Sequence, residues 1–505
     1  MFDYLRRLAT TGAAYTAASV VSKLLAVALL PLYTSYLTTT DYGAAEVMFT
    51  TVVVASIVVR FGLIEALLRF FYLPDEDGDE VVRTGFAALF WGSTVGALIA
   101  LPFAEQISQA LLDQDSADLV RIAIGGLWVL TLYEYLVTLF RLDERAKAYF
   151  TFTILHVLAA VPLQVLLVVG LDEGARGLLL GSYLSGIPFI LWFVITERRR
   201  LGLVPDRPLL RRMWRFGLPT MPAEVSLYSL QFIDRIIIVR SIGLAEAGLY
   251  ALAFKFSQAV QIVVRGFQLA WPPLAYSIQD DDEARRTYAV VLTAFSAVCG
   301  FLVVGLWLEA RWIVRLLADE RFFDSYEVVG PLALGAALYG VYLAQLVILG
   351  RTGKTDRNLP ATLAGTVANV VLNLILVPAW GIIGAGVALI ASYLIVIVLM
   401  YAFTQRLFPI PWQWGRLAVI VGAGALVVAV GELALPDEGP AGFLLRALVW
   451  LLYPVMLWFG GVVTPSERAT AIAAIRAGRQ RQGAPEDEAE DLIEAETRDQ
   501  DRSGF

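Results

Sequence analysis

"FGLPTMPAEVSLYSLQFIDRIIIVRSIGLAEAGLYALAFKFSQAVQIVVRGFQLAWPPLAY", residues 216–276, reads as two long apolar helices joined by a short outer turn, with charges where a bilayer-buried helix normally has none. Glu224, Tyr228, Gln231 and Arg235 fall within a narrow arc at 100° per residue, one polar stripe on an apolar rod. On the second helix Lys255, Gln258, Gln261, Arg265 and Gln268 occupy somewhat under half the circumference. One Arg or Lys at the centre of a membrane helix costs roughly 2.5–3.5 kcal/mol. A chain retains several only where they face water, each other or a ligand.

Working outward, 58% of the 505 residues are hydrophobic and the mean hydropathy is +0.68. Several apolar runs reach the roughly 20 residues that a bilayer core requires. The alternating ten-residue segments of a membrane barrel are absent. The expected fold is therefore an all-α polytopic membrane protein. About fourteen spans are predicted, near 13–36, 45–72, 83–104, 119–140, 149–171, 176–196 and 215–240, and then near 247–274, 287–309, 328–350, 358–378, 382–404, 415–435 and 443–463. The single cysteine, Cys299, lies in an apolar run and reads as a small core hydrophobe. One histidine, His156, cannot build a histidine-rich metal site, and no metal or other cofactor is expected. Net charge is −7, much of it after Ala484, and gives no sign of a nucleic-acid partner. The N-terminus, with Arg6 and Arg7 before a long segment containing Lys23, reads as a retained first span.

Arginines set the orientation. Arg6 and Arg7, Arg141, Arg145 and Lys147, and the run Arg198 to Arg215 fall on one side. Arg285 and Arg286, Arg351, Lys354 and Arg357, and Arg406 and Arg416 join them; the other side holds only scattered cases. Both termini are thus expected in the cytoplasm of a cell-membrane protein. The chain also repeats. A shift of 205 lays Gly43 on Gly248 and Ile57-Val58-Val59-Arg60 on Ile262-Val263-Val264-Arg265; a shift of 210 lays Ser182-Tyr183-Leu184 on Ser392-Tyr393-Leu394. Six spans per half return the chain to the same side, so the halves are parallel copies about an axis along the membrane normal. The predicted organisation is a six-helix lobe (1–197), an arginine-rich cytoplasmic linker (198–214), a second six-helix lobe (215–405), two plainer helices (406–465) and a largely disordered cytoplasmic tail (466–505).

Lys23, Arg60, Arg235, Lys255 and Arg265 are the candidate substrate-binding cations, and Glu46, Glu65, Glu224 and Asp234 the candidate cavity or gating acids. All lie on the first two spans of each half. They either neutralise one another to hold helices in place, or line a wet cavity with some cations free for an anionic cargo. A phosphate or diphosphate suits arginine's planar fork and lysine's point charge. Tyr228, Gln231, Gln258 and Gln261 would add polar lining; Asn369 and Asn373 would form a hydrogen-bonding face between helices or touch substrate. Pro219, Pro222, Pro31, Pro272 and Pro273 mark helix ends or hinges. "GRTGKT" at 350–355 lacks the first glycine of a phosphate loop, and the acids Asp75 to Glu80 read as a solvated loop. Loop 310–327, with Trp312, Leu316 and Leu317 among arginines, reads as an interfacial segment. Short outer loops without paired acids argue against an enzyme.

With these residues in place, the chain resembles the polysaccharide-flippase (Wzx-like) branch of the multidrug/oligosaccharidyl-lipid/polysaccharide exporter superfamily. The likeness covers about residues 10–405. It is carried by "PLYTSYLTTTDYG" at 31–43, "GLPTMP" at 217–222, "DRIIIVRSIGLAEAGLYALAFKFSQ" at 234–258, "AWPP" at 270–273 and "NVVLNLILVPAWGIIGAGVALIASYL" at 369–394. The resemblance implies transfer of a polyprenyl-diphosphate-linked oligosaccharide from the inner to the outer leaflet by alternating access, with a coupling ion such as H+ or Na+ left open. It also implies a monomer working beside a polysaccharide polymerase and glycosyltransferases. The chain is similar, too, to peptidoglycan-lipid flippases, a likeness that marks Lys23, Arg60 and Arg265 as head-group ligands. A multidrug or cation antiporter of the same superfamily is the further alternative.

Overall fold

A computed structural model describes residue 21 and residues 25–354 and 357–462. Lys23, the N-terminal arginines and the tail from 463 lie outside the described residues. Every regular element described is a helix. The first half contains α1 (Leu25–Tyr36), α2 (Thr39–Arg60), α3 (Leu63–Phe70), α4 (Gly78–Ala100), α5 (Ala104–Leu112), α6 (Ala117–Leu142), α7 (Ala146–Val165), α8 (Gly174–Leu184) and α9 (Gly186–Thr196). A connecting helix α10 (Arg207–Gly217) follows. The second half contains α11 (Met221–Ile242), α12 (Leu244–Ser277), α13 (Asp281–Leu317), α14 (Tyr326–Arg351) and α15 (Asn358–Leu407); α16 (Trp414–Ala434) and α17 (Gly439–Phe459) complete the described chain.

Eleven helices among the described residues are long and apolar enough to cross a membrane, against an expected fourteen or so. Three places account for the difference. The described part of the first span, α1, is short. Helix α11 is long enough, but Glu224, Asp234, Arg235 and Arg240 lower its hydropathy. Helix α15 counts once although it doubles back: Gly381 takes φ 60° and ψ −145°, a conformation open to glycine. A Cβ on Gly384 would lie 2.2 Å from the Leu376 carbonyl oxygen, eight residues earlier. A straight helix would hold those residues about 12 Å apart.

Helices α3 to α9 pack chiefly within the first half and α13 to α15 within the second, α2 packs most heavily on α12 across the seam, and α16 and α17 attach through α13. The linker is more structured than its composition predicts. Leu209, Met213 and Gly217 recur every fourth residue and bury one face of α10, which is capped by Asp206. Its arginines reach acids around the start of α4 and the end of α6: Arg212 meets Glu76 at 2.5 Å, and Arg200 meets Asp79 at 2.8 Å and Asp143 at 2.9 Å. Of the acids from Asp75 to Glu80, Glu76 and Asp79 are thus paired and not merely solvated. Two further expectations are corrected. Pro272 and Pro273 lie inside α12 and do not end it. Residues 310–317 continue α13, where Arg311 and Arg315 pair with Asp437 and Glu438, and Phe322 beyond them is fully buried.

Helices α2 and α12 of the two halves touch backbone to backbone at Gly43 and Gly248, as Gly62 and Gly217 do between the start of α3 and the end of α10. A Cβ on Gly43 would sit 2.1 Å from the Leu244 carbonyl oxygen, and one on Gly248 would sit 2.1 Å from that of Thr39. The contact is reciprocal under the 205-residue shift, since Thr39 corresponds to Leu244 and Gly43 to Gly248. Around it, Tyr42 packs edge-on against Phe322 at 5.6 Å, and Arg321 donates to the carbonyls of Thr34 and Ser35. Gly43→Val and Gly248→Val are each expected to destabilise the protein by about 1–3 kcal/mol through overpacking. Thermal melting in detergent checks this, and unchanged melting for both variants would contradict the crossing.

Candidate functional site

From that crossing α2 and α12 run in the same sense, and every charge on them lies at a depth fixed by the helical rise of about 1.5 Å per residue. Glu46 follows Gly43 closely, and Lys255 lies two turns beyond Gly248. They meet at 2.6 Å, with the ammonium 4.9 Å from the Tyr42 ring centroid. Lys255 thereby crosses from the second half into a cavity of about 250 Å³ in the first. Tyr33, Gln164, Ser182 and His156 share its lining. The Tyr33 hydroxyl donates to the Gln164 amide oxygen, and the Gln164 amide donates to Ser182 at 2.7 Å. His156 lies 3.3 Å from the Ser185 hydroxyl and packs on the Tyr133 ring.

Arg235 is sealed in the seam. It is 3% exposed, donates to Thr50 of α2, and lies between the rings of Phe232 and Phe254 at 5.0 and 4.9 Å. Its neighbour Asp234 accepts from the Tyr250 hydroxyl and from the Arg235 backbone N–H. In this conformation neither residue reaches water. The structure therefore places Arg235 among the groups that join the halves, away from any open surface.

Arg60 and Arg265, equivalent under the repeat, each lie 17 residues, or about 25 Å, beyond the crossing glycines. Here the seam opens. Arg265 is exposed, and a Cβ on neighbouring Gly266 would meet nothing within 4 Å. Arg60 meets Glu134 of α6 at 2.5 Å and Glu224 of α11 at 3.7 Å, and its Nε donates to the Ser56 carbonyl. Glu65 lies within electrostatic reach of both carboxylates. Tyr228 feels the charges of Glu134, Glu224, Arg60 and Arg265, which places it at the centre of the group. The side-chain partner described for Arg265 is Gln268, at 3.0 Å; among the described residues no carboxylate is paired with it.

The mouth is thus mixed in sign, with Glu65, Glu134 and Glu224 near Arg60 and Arg265, which fits the expectation that acids share the site and only some cations are free. Gln258 and Gln261 are half-buried on the face of α12 leading to Arg265. The Gln231 side chain, like Lys23, lies outside the described residues. Asn369 and Asn373 are fully buried and do not line an open surface. Nor do they bond across helices: the Asn373 amide donates to the Asn369 carbonyl of its own helix, and the Asn369 side chain has no partner among the described residues.

Two charged groups escaped the sequence reading. Glu134 stands in "LTLYEYLVTLF", a lone acid in an apolar run, which was signal enough. Spans read as plainer hold Arg446, 1% exposed, which bonds Glu432 at 3.0 Å and the Pro436 carbonyl. The buried carboxylate of Glu309 on α13 lies within electrostatic reach of Arg446.

Residues 35–327, more than half of the chain, match the profile of a family described as polysaccharide biosynthesis protein. The chain belongs to that family. Within the polysaccharide biosynthesis proteins it is 24% identical over 318 residues to the succinoglycan biosynthesis transport protein ExoT of Rhizobium meliloti (strain 1021). That match covers 61% of this chain and 62% of the relative. Among solved structures the fold is similar to the lipid II flippase MurJ in an inward closed conformation, with TM-score 0.70, 14% identity and coverage of 89% of this chain and 97% of that one. It is also similar to an inward-facing multidrug resistance MATE family transporter of the MOP superfamily, with TM-score 0.65, 15% identity and coverage of 76% and 95%. This member of the family is a multi-pass membrane protein, and these relatives are named as transporters or flippases.

The Glu46–Lys255 pair gives a direct test of the seam. Lys255→Met strands a largely buried carboxylate and is expected to cost about 3 kcal/mol or more. The double variant Glu46→Gln/Lys255→Met should recover most of that loss. Denaturation of the purified protein measures it; equal loss in single and double variants would show that the pair is not coupled.

Proposed function

We propose that the protein moves a polyprenyl-diphosphate-linked oligosaccharide from the inner to the outer leaflet, for cell-surface polysaccharide assembly, by alternating access between its two halves. The observation that carries this reading is Arg265, an exposed guanidinium about 25 Å along a membrane helix with no described carboxylate on it. Membership of the polysaccharide biosynthesis family supports a glycan cargo. The arginine asymmetry of the loops puts the Arg60–Arg265 mouth toward the cytoplasm and the Gly43–Gly248 crossing toward the outside of the cell membrane.

In this mechanism the diphosphate docks between Arg265 and Arg60, where each planar fork donates to two phosphate oxygens. Glu224, the longer of the two contacts to Arg60, gives way to the incoming anion. Lys23 is a third ligand by family resemblance. The lipid tail stays in the bilayer. Closure at the mouth follows only if the bound head group favours the closed state: a shift from 1:99 to 99:1 needs roughly 10⁴-fold differential affinity. Coupling to H+ or Na+ would reset the empty protein, and a polymerase and glycosyltransferases would supply and consume its cargo.

A cation antiporter is the second reading, favoured by the excess of carboxylates around Arg60. One experiment separates the two. In proteoliposomes carrying a fluorescent lipid-diphosphate oligosaccharide, Arg265→Ala and Arg60→Ala are expected to slow flipping about tenfold or more, the cost of a lost charged hydrogen bond. Exposed Arg121→Gln should have no effect. Wild-type rates in both arginine variants would overturn the proposal. So would efflux of a cationic dye that Glu224→Gln abolishes.

A further inference from the structure

On the outer surface of the first half, away from the seam, a groove of about 490 Å³ runs between α7 and α9. Its floor is aromatic. Phe152 packs against Phe140 at 5.3 Å, Phe189 at 5.1 Å and Trp192 at 5.6 Å, so the walls are held by one another and need no ligand to form them. Leu155 and Pro188 continue the lining. Its volume falls within the roughly 300–1,000 Å³ typical of small-molecule sites. The groove faces the bilayer: Phe152 is the buried residue of α7, while Leu155 and Trp192 are about half exposed.

The charge at one end decides the occupant. Arg145 lines the groove and lies 5.5 Å from the Phe140 ring centroid. Arg141, Lys147, Arg198 and Arg199 are exposed on the adjoining chain, in the last turn of α6, the first turn of α7 and just past the end of α9. Nearby acids only partly offset these five cations: Asp143 is engaged by Arg200, Glu197 lies 3.6 Å from Arg145, and Glu144 is exposed. No side chain caps α7, although the Ala146 N–H bonds the Glu144 carbonyl, and the partial positive charge of this helix start adds to that of the arginines. Trp192 sits in the apolar wall, as tryptophans do near a membrane interface.

We infer that this groove is a binding site for one anionic phospholipid, with an acyl chain along the Phe152–Trp192 floor and the phosphate on the Arg145–Lys147 rim. The site is separate from the inter-lobe mouth, so its lipid is a resident and not the cargo. It braces α7, which buries little else, against α9.

Native mass spectrometry of the full chain, released from nanodiscs holding equal phosphatidylglycerol and phosphatidylcholine of matched chains, tests this. The wild type should retain one phosphatidylglycerol in clear excess over phosphatidylcholine. Arg145→Gln/Lys147→Gln should reduce that preference about tenfold. Ala148→Trp, which fills the groove and leaves the charge, should remove the bound lipid altogether. Retention of the two lipids in equal amounts, or unchanged retention in both variants, would overturn the site. Displacement by polyprenyl phosphate at equimolar concentration would instead assign the groove to the cargo's tail and refute a resident phospholipid. Each variant is compared only after its melting temperature matches the wild type.

Discussion

Two helices can approach to backbone contact only where side chains are missing, and for α2 and α12 that place is Gly43 and Gly248. Everything charged in the seam takes its place from this contact. With the helices pinned there, Glu46 and Lys255 fall within hydrogen-bond range. Further along, Arg60 and Arg265 stand at equal depth, Arg60 paired with Glu134 and Glu224 and Arg265 exposed. A buried charge in hydrocarbon must be matched or hydrated. The seam does both, pairing its charges near the crossing and leaving them wet beyond it.

The same geometry sorts the buried cations into two kinds. Arg235 and Lys255 each bond a group on α2, so each joins one half to the other through Thr50 or Glu46. Arg60 is satisfied too, but by carboxylates from two other helices at unequal distances, an arrangement that an anion can enter. Arg265 alone among the described cations of the seam is left to a neutral amide, Gln268. Charge in this protein is therefore structural at one end and available at the other.

Much of this was legible in the sequence. Helical spans followed from apolar length, and the repeat was visible because glycine and arginine recur at one shift on the same helix face. The pairing of charges was not legible, for a physical reason. Which carboxylate meets which guanidinium depends on the rotation and crossing of helices far apart in sequence, and periodicity fixes only the face of each. Glu134 illustrates the limit: its helix was predicted, yet its partner lies 74 residues away. Asn369 and Asn373 show the reverse error. Polar residues four apart suggest an exposed stripe, but close packing buried them completely. In the linker, a run of arginines reads as a topology signal, and the helix formed by the face carrying Leu209 and Met213 is an addition to that reading.

The reach of Lys255 across the seam has a consequence for the resting protein. Any rocking that parts the halves at the crossing must draw this ammonium out of the first half's cavity and leave the Glu46 carboxylate behind without its counter-charge. Spontaneous parting is therefore rare unless water or another cation fills the place. Left to itself, the molecule stays closed at the crossing.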